Sequence, residues 1–178
     1  MMNFFSSTSP GSGSVGANFT RKLYFYAEVD LPTGKERSMT NEELIEELEK
    51  LVEKEEKIGE IWYYTHPLNG GWRLLNSVAY HAYVVFKTDQ WWWSIEKNNE
   101  SVILQRSKKI EFVRNHCIRN KRHESILNGV IACTKQKKVN STVQEFIQHI
   151  HTEGFLNEDY HLLNKNCQEF ADKIYGFF

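Results

Sequence analysis

Two apolar segments separated by a short polar one constrain the fold of this chain more than any other feature of its sequence. Residues 79–86 and 91–95 are rich in aromatic and β-branched side chains, and residues 87–90 between them are polar. Segments of this length and composition on either side of a short loop are typical of a β-hairpin. The sequence therefore predicts two antiparallel strands that are neighbours in a sheet.

The length of the loop predicts which residues of the two strands face each other. A turn centred between residues 88 and 89, as in a loop of two or four residues, places Phe86 opposite Trp91. The same register places His81 opposite Glu96. Directly opposed residues share one face of the sheet, with Cβ atoms ~5 Å apart. A loop of three residues would instead place a neighbour of Glu96 opposite the histidine.

The remaining patterns are a mixture of strands and helices. Strand-like segments occupy residues 22–30, 61–64 and 102–104, and helical patterns begin at capping boxes at Thr40 and Ser141 and at Cys167. The apolar spacing of the first helix extends as far as Ile58. This mixed order predicts an α+β fold with a mostly antiparallel sheet packed against helices.

Length and composition predict one folded domain. Of the 178 residues, 40% are hydrophobic, which is enough for a core, and residues 1–18 form a Ser/Gly-rich tail that we expect to be flexible. Residues 19–178 are then a single domain. No apolar run reaches the ~18 residues of a membrane span, and three irregularly spaced cysteines do not suggest a disulfide framework. We expect a protein without a transmembrane segment, in a reducing, cytoplasmic compartment.

Two segments carry opposite charge within a chain whose net charge is -1. The acidic segment, residues 41–60, has nine Glu and three Lys, and it is interpreted as a solvated face or, alternatively, as a docking surface. The basic segment, residues 106–122, has seven Lys or Arg and one acid. It is interpreted as a solvated insertion or as a surface for an acidic partner. The balanced charge argues against a dedicated nucleic-acid binder.

Cys167 is the first candidate for chemistry, because it lies where an amphipathic helix begins. A thiol at a helix N-terminus faces unsatisfied backbone N–H groups and the positive end of the helix dipole, and both favour the nucleophilic thiolate. The same N–H groups, together with the flanking residues Asn166 and Gln168, are candidates for stabilising an oxyanion. The alternative is that Cys167 is a small buried apolar residue.

His81 is the candidate base for this thiol, because it opens a strand from which its ring can project towards the helix. Glu96 would then orient the imidazole, as the carboxylate of a catalytic triad does. Trp92 and Ser94 lie on the same predicted face and are candidates for the substrate cleft, although the tryptophans at 91–93 equally suit the core. Alternative bases are His149, His151 and His161, and His81 itself is alternatively a structural residue.

Three short segments resemble the circularly permuted papain-like proteins. They are Tyr80–Val85, which contains the histidine, Trp93–Glu96 on the following strand, and Asn166–Phe170, which begins the last helix. This group includes the lecithin–retinol acyltransferase family, permuted NlpC-type peptidases and PPPDE isopeptidases. In all of them the histidine precedes the cysteine, as it does here. The resemblance covers roughly residues 60–178.

The resemblance implies a thiol enzyme that forms a thioester with its substrate. Cys167 would be the nucleophile, His81 the general base and acid, and Glu96 or Ser94 the third member. The acyltransferase branch usually has histidine at that third position and often a hydrophobic C-terminal anchor, and this sequence shows neither. A peptidase or isopeptidase acting on peptide or ubiquitin-like substrates is therefore favoured over a lipid acyltransferase or phospholipase. A catalytically inactive interaction module is a further alternative.

No metal and no cofactor are expected from the sequence. Cys117 and Cys133 lack a C-x-x-C partner, and with His116 and His123 they match no zinc-binding spacing. No G-x-S-x-G, P-loop or G-x-G-x-x-G motif occurs, so serine hydrolases, P-loop nucleotidases and Rossmann enzymes have no support.

Overall fold

The structure is a computed structural model that describes residues 19–53, 55–68, 73–74, 77–78, 80–122, 124, 129–161 and 165–178. The predicted tail, residues 1–18, lies outside the described residues. The described residues form a seven-stranded sheet, two small two-stranded sheets and four helices. The predicted α+β class is thus confirmed.

The main sheet is antiparallel except for one parallel pair. Its strand order is β11-β3-β6-β7-β8-β1-β2, and β1 runs parallel to β8. The strands are β1 Leu23–Tyr26, β2 Glu36–Met39, β3 Lys57–Pro67, β4 Arg73–Leu74, β5 Ser77–Val78, β6 Tyr80–Thr88, β7 Trp92–Lys97, β8 Val102–Ser107, β9 His116–Cys117, β10 Asn120–Lys121 and β11 Ala132–Thr142. Strands β6 and β7 lie in the middle of the sheet, which explains why their sequences are the most apolar.

Four helices pack on this sheet, namely α1 Leu44–Glu49, α2 Ile110–Arg114, α3 Val143–Glu153 and α4 Cys167–Phe177. A capping box begins α3, one residue later than predicted, with Thr142 as the N-cap and Glu145 as its partner. The last helix begins at Cys167, as predicted. In the described part of the chain no helix is both long and apolar enough to cross a bilayer.

The sheet separates two apolar clusters of unequal size. Alternate residues Ala82, Val84 and Phe86 of β6 face the larger cluster, to which α1, α3 and α4 contribute. The residues between them, Tyr83 and Val85, face the smaller cluster on the side of α2. Both faces of β6 are therefore buried, which fixes the direction of every side chain along the strand.

The hairpin is present, but its predicted register is wrong by two residues. Phe86 pairs with Trp93 and not with Trp91. The reason is that Thr88 closes the turn, since its backbone N–H and its hydroxyl both donate to the carbonyl of Trp91. The hydroxyl also accepts from the backbone N–H of Trp91. A shift of two residues leaves every side chain on its predicted face.

The first predicted helix is shorter than its apolar spacing suggested. It ends at Glu49, and Ile58 belongs to β3. Half of the predicted capping box is present, because the Glu43 carboxylate accepts from the backbone N–H of Thr40 at 2.9 Å, but the N-cap is Glu43 and has no side-chain cap.

The basic segment is only partly solvated, because Arg106 and Arg122 pack into the fold, whereas its lysines and Arg119 are exposed. The Arg106 guanidinium lies over the Trp91 and Trp93 rings, with Cζ 4.5 and 5.3 Å from their centroids. Arg119 donates to backbone carbonyls of the turn at residues 29–32. Arg122 is 5% exposed. These contacts hold the arginines in place, and a surface for an acidic partner on this segment stays a prediction.

Replacing Phe86 by alanine should lower the free energy of unfolding by about 3–5 kcal/mol. Phe86 is fully buried and packs against Trp93 and Phe146, with ring centroids 5.6 and 4.9 Å away, so truncation leaves a cavity in the larger cluster. Urea denaturation measures the change. The control Leu31→Ala removes an apolar side chain that is 43% exposed and should cost at most about 0.5 kcal/mol. Equal effects of the two variants would contradict this packing.

Candidate active site

The candidate site lies where β6 and β7 separate. Their pairing ends at Val84 and Ile95, although β6 begins four residues earlier at Tyr80 and β7 continues to Lys97. Helix α4 packs against both strands. The N-terminus of this helix thereby brings Cys167 to the opening between the strands, where the backbone N–H of Ala82 hydrogen-bonds to the cysteine sulfur.

Cys167 and His81 are hydrogen-bonded through their side chains. The two residues are 4% and 8% exposed, so both reacting groups are shielded from bulk water. The Nε2 atom of His81 lies 2.7 Å from Oε2 of Glu96, which leaves Nδ1 for the thiol. The structure therefore brings together the three residues that the sequence predicted as nucleophile, base and orienting group.

The contact between His81 and Glu96 differs from the predicted one in detail. Direct opposition of these two residues was wrong, because the observed register shifts them by two positions. They remain on the same face and meet diagonally, which is within reach of long side chains. Ser94 lies two residues earlier on that face and pairs with Val85. The Ser94 hydroxyl is buried without a hydrogen-bond partner among the described residues, so Glu96 and not Ser94 contacts the imidazole.

Arg122 holds Glu96 in a bidentate ion pair that the sequence analysis did not predict. Its Nη1 and Nη2 atoms donate to the two carboxylate oxygens at 2.9 and 2.5 Å. Its Nε donates to the backbone carbonyl of Arg114 at 3.1 Å, and its Cζ lies 3.7 Å from the centroid of the Tyr83 ring. All three nitrogens of this buried guanidinium are thus hydrogen-bonded, and these contacts also fix the carboxylate.

These contacts shift the pKa values of the three candidate groups in a consistent way. Burial alone would lower the pKa of His81, but its hydrogen bonds to Cys167 and Glu96 raise that pKa to about 9. Burial would raise the pKa of Cys167, but the hydrogen bond and charge of His81 lower it overall. Burial would raise the pKa of Glu96, but the charge of Arg122 and the hydrogen bonds from His81 and Arg122 together hold it well below its usual value. The site therefore favours a thiolate beside an imidazolium.

The pKa values of the other two cysteines shift in the opposite direction. Burial raises the pKa of both Cys117, whose thiol hydrogen-bonds to Glu96, and Cys133, which is exposed on β11. None of the three cysteines forms a disulfide bond. In the described part of the chain, no group of three His, Cys, Asp or Glu side chains is arranged to bind a metal ion.

The predicted oxyanion donors at the start of α4 are already occupied. The Asn166 side-chain oxygen accepts from the backbone N–H groups of Gln168 and Glu169, at 2.9 and 3.1 Å. The Gln168 side chain donates to the carbonyl of Tyr80 at 3.1 Å. The expectation of free helix N–H groups next to the thiol was therefore wrong, because the cap that begins the helix uses them.

Trp92 does not lie at the cleft. It pairs with Lys87, which is six residues farther along β6 than His81 and therefore about 20 Å away. Its ring packs against Trp62, with centroids 5.2 Å apart, beneath the Lys87 ammonium. The predicted face was right, but the position along the strand excludes Trp92 from the site.

Besides Arg122, the sequence analysis missed Tyr160 and His66, which also lie next to the candidate groups. The Tyr160 hydroxyl hydrogen-bonds to Cys167, at both its sulfur and its backbone N–H. His66 of β3 pairs with His81, with ring centroids 5.2 Å apart, and burial lowers its pKa to about 4. Of the alternative bases, His149 stacks on Phe177 at the other end of α4.

A buried thiol hydrogen-bonded to an imidazole, which in turn is held by a carboxylate, is the side-chain arrangement of thiol hydrolases. The model of the PPPDE putative peptidase domain matches residues 39–178. The chain therefore belongs to this papain-like thiol peptidase family, which confirms one of the three resemblances drawn from the sequence. No curated protein and no solved structure matches the chain.

The variant Arg122→Met should lower the free energy of unfolding by about 3–5 kcal/mol, because it leaves the Glu96 carboxylate buried without its cation. Adding Glu96→Gln should recover part of this loss, since no unpaired charge then remains. Urea denaturation of the single and double variants measures both effects. The control Lys121→Met alters the neighbouring, exposed cation and should change stability by at most about 0.5 kcal/mol. Arg122→Met as stable as the control would contradict the buried ion pair.

Proposed function

We propose that this chain is a cysteine peptidase or isopeptidase in which Cys167 is the nucleophile. His81 is its general base and acid, and Glu96 orients the imidazole. The observation that carries the proposal is the buried hydrogen bond between the Cys167 and His81 side chains, in surroundings that lower the pKa of the thiol. Membership of a thiol peptidase family supports the same class of reaction.

The reaction follows from the resting ion pair. The Cys167 thiolate attacks the carbonyl carbon of the substrate, forming an S–C bond while the carbonyl π electrons move to oxygen. The C–N bond then breaks, and the imidazolium of His81 gives its proton to the leaving amine. Water, deprotonated by the neutral His81, attacks the resulting thioester and releases the acid and the thiol.

Glu96 and Arg122 act on this reaction through His81. The carboxylate fixes the ring by its 2.7 Å contact with Nε2, so that the other ring nitrogen stays directed at the sulfur. Its negative charge stabilises the imidazolium, and Arg122 keeps the carboxylate itself ionised and in place. Arg122 contacts Glu96 and acts on His81 only through that carboxylate, so it is a positioning residue.

The order of the site residues supports a circularly permuted papain-like arrangement, since His81 precedes Cys167 and the cysteine begins the last helix. The family match starts at residue 39, but β1 at Leu23–Tyr26 is a strand of the same sheet. We therefore include residues 19–38 in a single domain, 19–178. The exposed free thiol of Cys133 supports a reducing, cytoplasmic compartment.

A substrate panel tests the proposed activity. Peptide and ubiquitin-like substrates with a fluorogenic amide should be cleaved, whereas a phospholipid should not. Cys167→Ala should abolish cleavage, and the matched control Cys133→Ala should leave it unchanged, because this exposed thiol lies on β11, which β3 separates from β6. Cleavage of the phospholipid alone would support the acyltransferase branch. Partner binding that survives Cys167→Ala, without any cleavage, would support an interaction module.

Amide cleavage should decline as the pH rises above about 9. The pKa of His81 is raised to about 9, so the imidazolium persists through neutral pH and is lost above that value. Loss of its proton removes the acid that protonates the leaving amine. The alkylation of Cys167 by iodoacetamide should show no such decline, because it needs only the thiolate. Parallel decline of both rates, or amide cleavage that keeps rising beyond pH 9, would contradict the assignment of His81.

A further inference from the structure

The proposed attack on a carbonyl requires a hydrogen-bond donor for the oxyanion. Backbone N–H groups at a helix start often serve as such donors, but those that follow Cys167 in α4 are already bonded. The N–H groups of Gln168 and Glu169 are bonded to the Asn166 side chain, and that of Phe170 is bonded to the Asn166 carbonyl. Breaking these bonds during catalysis would cost the cap that holds the helix start. A donor has to come from another element.

Tyr160 is placed to supply that donor. It precedes Cys167 by seven residues and is 9% exposed. Its hydroxyl oxygen accepts from the backbone N–H of Cys167, so its own proton is free to be donated to the cysteine sulfur. Burial raises the pKa of this phenol, and the hydroxyl therefore keeps its proton across the working pH range.

Two other groups contact the Cys167 sulfur, and their own roles in the reaction indicate which role is left for Tyr160. The His81 ring and the backbone N–H of Ala82 also hydrogen-bond to the sulfur. The ring must later give its proton to the leaving amine, and the Ala82 amide is fixed in β6. The Tyr160 hydroxyl rotates about a single bond, so it alone of the three can follow negative charge from the sulfur to a neighbouring oxygen without moving a strand or losing a proton.

We propose that Tyr160 is a further catalytic residue, whose hydroxyl holds the Cys167 thiolate at rest and then donates its hydrogen bond to the oxyanion. This inference rests on the proposed function, because it assigns a role in the same attack. As the S–C bond forms, the negative charge leaves the sulfur for the carbonyl oxygen, and the hydrogen bond follows it. The phenol keeps its proton throughout. When the C–N bond breaks, the carbonyl reforms and the hydroxyl is released.

The variant Tyr160→Phe tests this role, because it removes a single oxygen. The pH midpoint of Cys167 alkylation by iodoacetamide should move about one unit upwards, as expected for the loss of one hydrogen bond to a charged group. Acylation of Cys167 by 4-nitrophenyl acetate should slow about 10²-fold, the effect of losing one oxyanion donor. The leaving nitrophenolate needs no proton, so this rate reports on the attack and not on His81.

The matched control is Tyr175→Phe. Tyr175 lies on α4 about 12 Å beyond Cys167, so the same atom is removed away from the sulfur. Both the alkylation midpoint and the acylation rate should stay at their wild-type values. Circular dichroism establishes that the two variants are folded.

A second measurement does not depend on how well Tyr160→Phe folds. Incorporating 3,5-difluorotyrosine at position 160 makes the phenol more acidic and a stronger donor, while its shape is nearly kept. The alkylation midpoint of Cys167 should then move downwards, opposite to the shift in Tyr160→Phe. A residue with a merely structural role would give no shift of either sign.

The outcomes separate this inference from the proposed function. Wild-type acylation at Cys167 that is unchanged in Tyr160→Phe, or an alkylation midpoint that moves in neither variant, overturns the role of Tyr160 and leaves the nucleophile in place. A wild-type protein that is not acylated at Cys167 at all overturns both. Slower acylation together with opposite shifts of the midpoint supports the role of Tyr160.

Discussion

The buried ion pair between Glu96 and Arg122 is the interaction on which the site depends. A carboxylate in an apolar interior would normally take up a proton, and a protonated Glu96 would no longer stabilise a charged imidazole. The bidentate guanidinium removes this tendency, and its Nε is held by a hydrogen bond to the Arg114 carbonyl. In the proposed resting state the charges of guanidinium, carboxylate, imidazolium and thiolate alternate in sign, so each group stabilises its neighbours in buried surroundings.

The geometry of the sheet determines where Cys167, the last group of this series, is placed. Because β6 and β7 stop pairing at Val84 and Ile95, an amide of β6 is available to Cys167, and the start of α4 fits between the strands. The Asn166 cap fixes that helix start, and it does so with the N–H groups that would otherwise serve an oxyanion. Structural capping and transition-state stabilisation thus compete for the same donors. In the proposed mechanism Tyr160 resolves this competition from outside the helix.

Much of this arrangement could be predicted from the sequence, but the contacts that support the site could not. Local patterns were enough to predict the hairpin, the faces of His81 and Glu96 and the first residue of α4, because strand alternation and helix periodicity are read over few residues. The hairpin register depended on the Thr88 side chain, and side-chain hydrogen bonds in turns are not visible in apolar patterns. Arg122 resembled any surface cation, and β11 was missed because an edge strand rich in exposed lysine does not alternate. Contacts between residues distant in sequence, such as Tyr160 with Cys167, require the fold itself.

The most direct measurement is the ultraviolet absorbance of the thiolate near 240 nm, compared between the wild-type protein and Cys167→Ala from pH 5 to pH 10. If the buried charges alternate as proposed, the difference spectrum already contains one thiolate at neutral pH, because Cys167 is ionised beside a protonated His81. A difference that develops only as the pH approaches the ordinary thiol pKa of ~8.5 would contradict the account, since Cys167 would then be an unactivated buried thiol.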